Sequence, residues 1–436
     1  MEIHYWNKDI ETASRAQLEE IQTRRFKELI NRCYSKVETY KKKFKEKGLT
    51  PDDFKTMDDV TKLPLTVKDD LRDNYPFGMF AEPMEKIVRI HASSGTTGKP
   101  TVVGYTDHDI WNVWTEVMAR TCMAAGMTSK DVVQNAYGYG LFTGGLGFHY
   151  GAEKIGSTVI PISGGNTERQ LMLMQDFGST VITCTPSYAV YIGEMIKQKE
   201  IDRDKIKLHT GIFGAEPWTE KLREKIEDIL KVRAIDIYGL SEITGPGVSV
   251  NCVHQKGLHI WEDHFFPEIL DPKTKERVAP GESGELVFST ITKEGIPLIR
   301  YDTKDISSLN YEKCECGRTH VRHKKITGRS DDMLIIRGIN VFPSQVEHVL
   351  MKIPGVAEHY EIIVDRDILD KLKVRVELTR KTFSDKMSEL EGLKQKIEKE
   401  LYVTLQVHAS VELVSPGTIP RSVGKAKRVI DLRNEM

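Results

Sequence analysis

The chain has 436 residues, too many for one ordinary core, so two or three domains are expected. With 63 basic against 64 acidic residues and 39% hydrophobic content, it reads as a globular protein with no bulk charge aimed at nucleic acid or membrane. MEIHYWNKDIE at the start has neither a basic leader nor an apolar h-region, and no uninterrupted apolar run reaches membrane-spanning length, so the expected location is the cytoplasm.

From Ser14 to about Lys43, Leu18, Ile21, Leu29, Ile30, Cys33 and Val37 recur near a 3.6-residue period and predict an amphipathic helical preface. The KKKFKEK run at 41–47 reads as a solvated helix face. Ser93-Ser94-Gly95-Thr96-Thr97-Gly98-Lys99-Pro100 then places four hydroxyl side chains, two glycines and a lysine in eight residues. Glycine lets the backbone approach an anion with its N–H groups free, so the stretch reads as a phosphate cradle, or else as a turn joining two strands. A Walker-type P-loop is disfavoured, because Ser93 and Pro100 stand where that motif needs a glycine and a magnesium-binding hydroxyl.

Short β-branched runs follow at 132–136, 157–162, 180–185, 234–239 and 284–290. Helical stretches separate most of them, such as Glu220 to Lys231 with Leu222, Ile226, Ile229 and Leu230 on one face. That alternation predicts an α/β fold with a largely parallel sheet. After a charged connector, HVRHKKITGRSDD (320–332), the texture changes to that of a compact α+β unit. There Ser344-x-x-Glu347 is expected to cap a helix through Val346, Val349 and Leu350. Strands are expected at 361–364, at Leu372 to Leu378 and at 411–414, with a helix through Met387, Leu390, Leu393, Ile397 and Leu401. The boundary is placed near Asp331, giving a large α/β domain over 1–330 and a small α+β domain over 331–436.

Six cysteines in so long a chain do not form a disulfide framework. Cys33, Cys122 and Cys184 lie in apolar settings and read as packing residues. Cys252 and His259, with Cys314-x-Cys316, supply three thiols and an imidazole, a complete tetrahedral set for a structural Zn²⁺ with no open position. The alternative is four unrelated residues.

The loop at 93–100 closely resembles the phosphate loop of the adenylate-forming superfamily, and further motifs follow in that family's order. Gly214-Ala215-Glu216-Pro217 resembles its adenine-lining turn. The strand carrying Asp236 and Ile237 continues into Tyr238-Gly239-Leu240-Ser241-Glu242, where the resemblance implies that Tyr238 stacks on adenine and Glu242 ligates Mg²⁺. An aromatic face suits a purine, and a hard carboxylate oxygen suits that ion. Tyr301-Asp302-Thr303-Lys304-Asp305 matches the ribose-binding segment at its outer residues and makes Asp305 the ribose ligand; Asp302 stands where the family often has arginine. Arg329, near the nucleotide, and Asp331, the pivot, match the hinge motif. Ile419-Pro420-Arg421-Ser422-Val423-Gly424-Lys425 resembles the loop carrying the catalytic lysine, Lys425, with Glu242 the other catalytic residue.

Within that superfamily the segment 137–147, HIWEDHFFPEI (259–269) and RGINVFPSQVE (337–347) resemble the phenylacetate-CoA ligase family over nearly the whole chain. The resemblance implies an aryl pocket with Tyr137, Tyr139, Phe142, Gly144 and Gly145, a CoA-facing surface with Arg337 and Gly338, and ATP and coenzyme A as co-substrates. A homodimer is also plausible by resemblance. The expected reaction is ATP-dependent formation of an acyl-AMP from an aryl acid, then transfer to CoA. Three alternatives stand beside it: a CoA-independent relative of the same branch, an aryl-CoA ligase of the indoleacetate or benzoate type, and a zinc-containing nucleic-acid-binding protein built on Cys314-x-Cys316 and the basic GKAKR (424–428).

Overall fold

The computed structural model describes residues 2–93, 100–332, 334–336, 339–366, 370–380, 382, 387–421 and 428–433. They form two compact units. The first comprises Met1–Cys184, Glu200–Ala215 and Val232–Ile326; the second comprises Thr185–Lys199, Glu216–Lys231 and Thr327–Met436. The second unit therefore includes two helices from the middle of the chain, Pro186–Gln198 and Glu220–Leu230.

The first unit opens on the helix Arg15–Lys36. The Ser14 hydroxyl accepts the Gln17 N–H and the Gln17 side chain accepts the Ser14 N–H, so both orphan donors are satisfied. Leu18, Phe26, Leu29, Ile30 and Cys33 form its buried stripe. Among the described residues nine strands make one sheet, in the order Leu309–Asn310, Arg322–His323, Leu258–Ile260, Gly245–Asn251, Arg233–Leu240, Thr210–Gly214, Val181–Cys184, Val132–Asn135 and Thr158–Ile160. The last five run parallel to one another. From Gly245–Asn251 the pairing turns antiparallel. Val181–Cys184 and Thr210–Gly214 are buried at every position, as strands covered on both faces must be. The run at 284–290 is a strand outside this sheet. It pairs antiparallel with Phe265–Leu270 and Tyr301–Ser307, so the parallel part is confined to one half of the unit.

The second unit has its own core of Leu334, Val346, Leu350, Ile362, Val374, Val376, Ile397 and Leu401, among others. Its four-stranded sheet runs Ala409–Val414, Asp370–Leu378, Val356–Arg366 and Val429–Asp431, with a helix at Met387–Leu405. Leu372, Val374, Val376 and Leu378 all face inward, as their alternation predicts. The expected capping box at Ser344 and Glu347 is not what starts the first helix. Pro343 occupies its first position, so the helix is Pro343–Leu350, and the Gln345 side chain accepts the Phe342 N–H. Ser344 donates to the Thr327 carbonyl, and Glu347 is buried against the Tyr360 hydroxyl.

Candidate nucleotide and metal sites

Arg233–Leu240 is parallel to Thr210–Gly214 on one side and antiparallel to Gly245–Asn251 on the other. Two glycines make its end possible. A Cβ on Gly214 would lie 2.2 Å from the Ile237 carbonyl oxygen, and one on Gly239 would lie 2.1 Å from that of Gly245. Ala215 follows at φ +71°, a left-handed conformation that is uncommon for a residue with a Cβ. The register slips between Tyr238 and Gly239. Tyr238 donates its hydroxyl to Asp305 Oδ2 at 2.6 Å, so two residues 67 positions apart meet at one place. Asp236 pairs with Lys325 at 3.9 Å. Asp302 is occupied elsewhere: buried, it receives Lys304 at 2.7 Å and Lys275 at 3.1 Å and forms an ion-pair knot.

Glu242 lies on the turn that follows, 5% exposed, and among the described residues its carboxylate has no hydrogen-bond donor. Open, hard oxygens of this kind fit a magnesium ion. Ser241 Oγ and Thr143 Oγ1 share a hydrogen bond of 3.1 Å that ties the turn to the segment before Gly144–Lys154. Ser93 stands at the mouth of the phosphate-loop segment, where its N–H donates to the Thr101 carbonyl. The flanks, Arg89–Ala92 and Val102–Tyr105, pair antiparallel, so the loop joins two strands; a Walker loop opens a helix. Ser94, Gly95, Thr96, Thr97, Gly98 and Lys99 lie outside the described residues, as do Arg337, Gly338 and Lys425.

In the aromatic segment, Tyr137 is buried and stacked on Phe148 with centroids 5.3 Å apart. The Tyr139 hydroxyl accepts from Asn135 at 2.7 Å, and burial pushes the phenol up to about 12. Phe142 is exposed and packs beside Gly144, where a Cβ would meet its ring at 3.1 Å. Gly145 donates to the Gly138 carbonyl and leaves no room for a side chain there. In the second unit, Glu216 accepts the Ser187 N–H at 2.7 Å, and Arg329 forks onto Asp331 with both contacts at 2.9 Å.

Two supporting residues carried no motif signal. His323 is buried, its ring meeting Tyr238 edge-on with centroids 5.3 Å apart and its Nε2 2.6 Å from Ser249 Oγ; burial takes it down to about 4, so it is neutral. Lys293 is 1% exposed and donates to the Glu242 carbonyl at 3.2 Å; burial brings it down to about 8. A lone histidine in a strand and a lysine in Thr-Lys-Glu-Gly stand out only when their burial is known.

Cys252, His259, Cys314 and Cys316 converge, with all four ligand atoms within 4.8 Å of one another and all four residues buried. Cys252 Sγ is 3.6 Å from Cys314 Sγ, and Cys316 Sγ is 3.4 Å from His259 Nε2. His259 Nδ1 faces the His320 carbonyl at 3.3 Å, which can only accept, so Nδ1 carries the proton. Burial keeps the ring neutral, which leaves the Nε2 lone pair pointing at the sulfurs. Hydrogen bonds from Cys252 and Cys316 hold the Cys314 thiol far below its usual range. Three sulfurs and one such imidazole make a donor set of the kind that binds zinc.

An α/β body with an aromatic, a carboxylate and an open acid at one strand end, followed by a small α+β unit, defines a class of nucleotide-binding enzyme. Residues 18–292 match the AMP-binding enzyme family and residues 338–433 match the AMP-binding enzyme C-terminal domain. The chain belongs to the phenylacetate-coenzyme A ligase family of these AMP-binding enzymes. It is 49% identical to the phenylacetate-coenzyme A ligase of Thermus thermophilus, over 98% of this chain and 99% of the relative. It is 50% identical to that of Escherichia coli, over 98% and 97%. The solved structure of 2-hydroxyisobutyryl-CoA ligase, in the postadenylation state with its acyl-AMP, superposes with a TM-score of 0.92 at 27% identity, covering 99% of this chain and 93% of that one.

Proposed function

We propose that the protein joins an aryl acid, phenylacetate first among them, to coenzyme A at the expense of ATP. The observation that carries the nucleotide half is the Tyr238–Asp305 hydrogen bond, with Glu242, whose carboxylate has no donor among the described residues, on the turn after Tyr238's strand. The relatives' shared name supports the choice of acid. The acid's carboxylate oxygen attacks the α-phosphorus and pyrophosphate leaves; the CoA thiolate then attacks the acyl carbon and AMP leaves. Tyr238 offers its ring face to adenine and Asp305 its carboxylate to the ribose hydroxyls. Glu242 would hold Mg²⁺, which screens phosphate charge when bound. Lys425 is assigned to the first half-reaction, and Arg337 and Gly338 to the second. Asp331 is read as the pivot between them. Tyr139 and Phe142 are assigned to the acid's ring. Cys252, His259, Cys314 and Cys316 are assigned a structural zinc. The reaction is assigned to the cytoplasm, where ATP and CoA are both at hand.

ATP–pyrophosphate exchange tests this reading with phenylacetate, indoleacetate, hydroxyphenylacetate, benzoate and medium-chain fatty acids, with and without CoA. Exchange driven by phenylacetate, with AMP and thioester appearing once CoA is added, is expected. Exchange that never proceeds to a thioester would transfer the chain to the CoA-independent kind of activity. Exchange driven only by fatty acids would overturn the assignment of the aromatic segment.

A further inference from the structure

We infer that Lys293, with Tyr105, positions the Glu242 carboxylate for its metal ion. This rests on the reading of Glu242 as the magnesium ligand. The turn Ser241–Thr244 receives donors on its carbonyls from outside itself. Lys293 Nζ donates to the Glu242 oxygen at 3.2 Å, and the Tyr105 hydroxyl lies 3.1 Å from the Thr244 oxygen and 3.5 Å from the Ser241 oxygen. The two donors are themselves coupled, because Lys293 Nζ sits over the Tyr105 ring, 4.8 Å from its centroid.

Each donor is locked from behind. Tyr105 stacks on Trp114 at 5.3 Å, and the His91 ring meets both edge-on. Lys293 is fixed through the two residues that follow it: the Asp109 carboxylate accepts the Glu294 N–H at 2.7 Å and the Gly295 N–H at 2.8 Å. Position 295 must be glycine for this approach, since a Cβ there would lie 2.6 Å from the Gly104 carbonyl oxygen and 3.0 Å from Asp109 Oδ2. Asp109 and Glu242 are the acidic groups that act on the ammonium.

An unbranched apolar side chain such as methionine, one atom shorter, would occupy most of this space without the desolvation of an ammonium, so the charge needs a function at this spot. Its one hydrogen-bond acceptor among the described residues is the backbone of the proposed metal ligand. A magnesium ion demands near-ideal octahedral geometry, and residues that orient a ligand from behind typically change metal affinity tenfold or more. Lys293 and Tyr105 are therefore positioning residues; neither needs to touch the nucleotide.

Mn²⁺ binding in the presence of ATP and the absence of acid, followed by electron paramagnetic resonance of free Mn²⁺, gives a readout independent of turnover. Lys293→Met is expected to weaken Mn²⁺ binding about tenfold, Tyr105→Phe to weaken it less, and Lys293→Arg to restore part of the loss. Exchange should then require correspondingly more Mg²⁺ with an unchanged KM for the acid. Conversion of preformed acyl-AMP and CoA to thioester should be unaffected. Wild-type Mn²⁺ affinity in folded Lys293→Met would overturn the inference; should that variant not fold, wild-type affinity in Tyr105→Phe would overturn it. Glu242→Gln separates the layers. If that substitution leaves Mn²⁺ binding intact, the reading of Glu242 fails; if it abolishes binding while the other variants bind normally, only the positioning role fails.

Discussion

Cys252, His259, Cys314 and Cys316 in the first unit and Glu194, Glu358 and His359 in the second each bring ligand-type atoms within 4.8 Å of one another. Among the described residues no ammonium is bonded into the sulfur cluster. The guanidinium groups that act on His259 are committed elsewhere, Arg318 to the buried Glu11 at 2.7 Å and Arg322 to backbone carbonyls, and Lys256 pairs with Glu315 at the surface. In the acidic cluster Lys225 pairs with one oxygen of Glu358, Arg428 donates to the Glu358 carbonyl, and Arg421, forked onto Glu377, also acts on Glu194 and Glu358. A divalent ion would meet cations already in place. What remains is a gap of 3.9 Å between Glu358 Oε1 and His359 Nε2, both buried and without a hydrogen-bond partner among the described residues, with Glu194 also 3.9 Å from that nitrogen. Convergence alone does not make a metal centre; the charge already neutralised decides.

The strongest way to break this contrast is to remove one ligand from each cluster. Cys314→Ser is expected to lose one equivalent of zinc, measured by elemental analysis, and to lower stability by more than about 4 kcal/mol, the range of lost metal sites. The proposed zinc site would fasten more than itself, since Tyr5 donates to the Cys316 carbonyl and Arg318 holds Glu11 and the His4 carbonyl. Protein purified without zinc yet fully stable would end the zinc assignment. Glu358→Gln should leave the zinc content unchanged. It strands Lys225, but that side chain is 40% exposed and water recovers part of the loss, so about 1–3 kcal/mol in chemical denaturation is expected.

Which of these features the sequence displayed depends on how local their causes are. The β-branched runs and the 3.6-residue period of the first helix are local, and the strands and helix appear where those patterns place them. Cys314-x-Cys316 is local as well, but the approach of Cys252 and His259 depends on how the strands Gly245–Asn251 and Leu258–Ile260 pair. Ser-x-x-Glu points past the true helix start at Pro343 because it is a frequent pattern, whereas proline at the first helical position is the stronger signal. Asp302 and Asp305 look alike in the chain. Lys275 and Lys304 separate their roles, and Lys275 comes from a turn 27 positions away. Glu358 and His359 are consecutive and should point to opposite faces of a strand, but an irregular register between Val356 and Tyr360 interrupts the alternation there. No residue type announces that irregularity.

The smallest expected effect sharpens the comparison through pH. Burial opposes ionisation of Glu194, yet the neighbouring His359 and Glu358 and the charge of Lys225 bring its carboxyl down to about 2 from an ordinary 4.5. A carboxyl with a depressed folded value contributes stability above its unfolded value, and that contribution is lost as pH falls from about 4.5 through about 2. The side chain is 37% exposed, so solvent screening reduces the contribution to about 1 kcal/mol. Hydrogen exchange of the Val356–Arg366 amides isolates this from acid loss of zinc in the other unit. Between pH 5 and pH 3 the wild type should lose protection there, and Glu194→Gln should start lower and change less. Equal slopes in the two proteins would mean that Glu194 is not part of the network. Exchange slowed at these amides by added Zn²⁺ in Cys314→Ser would instead show that the acidic cluster takes a metal after all, and the charge argument that separates the two sites would fail.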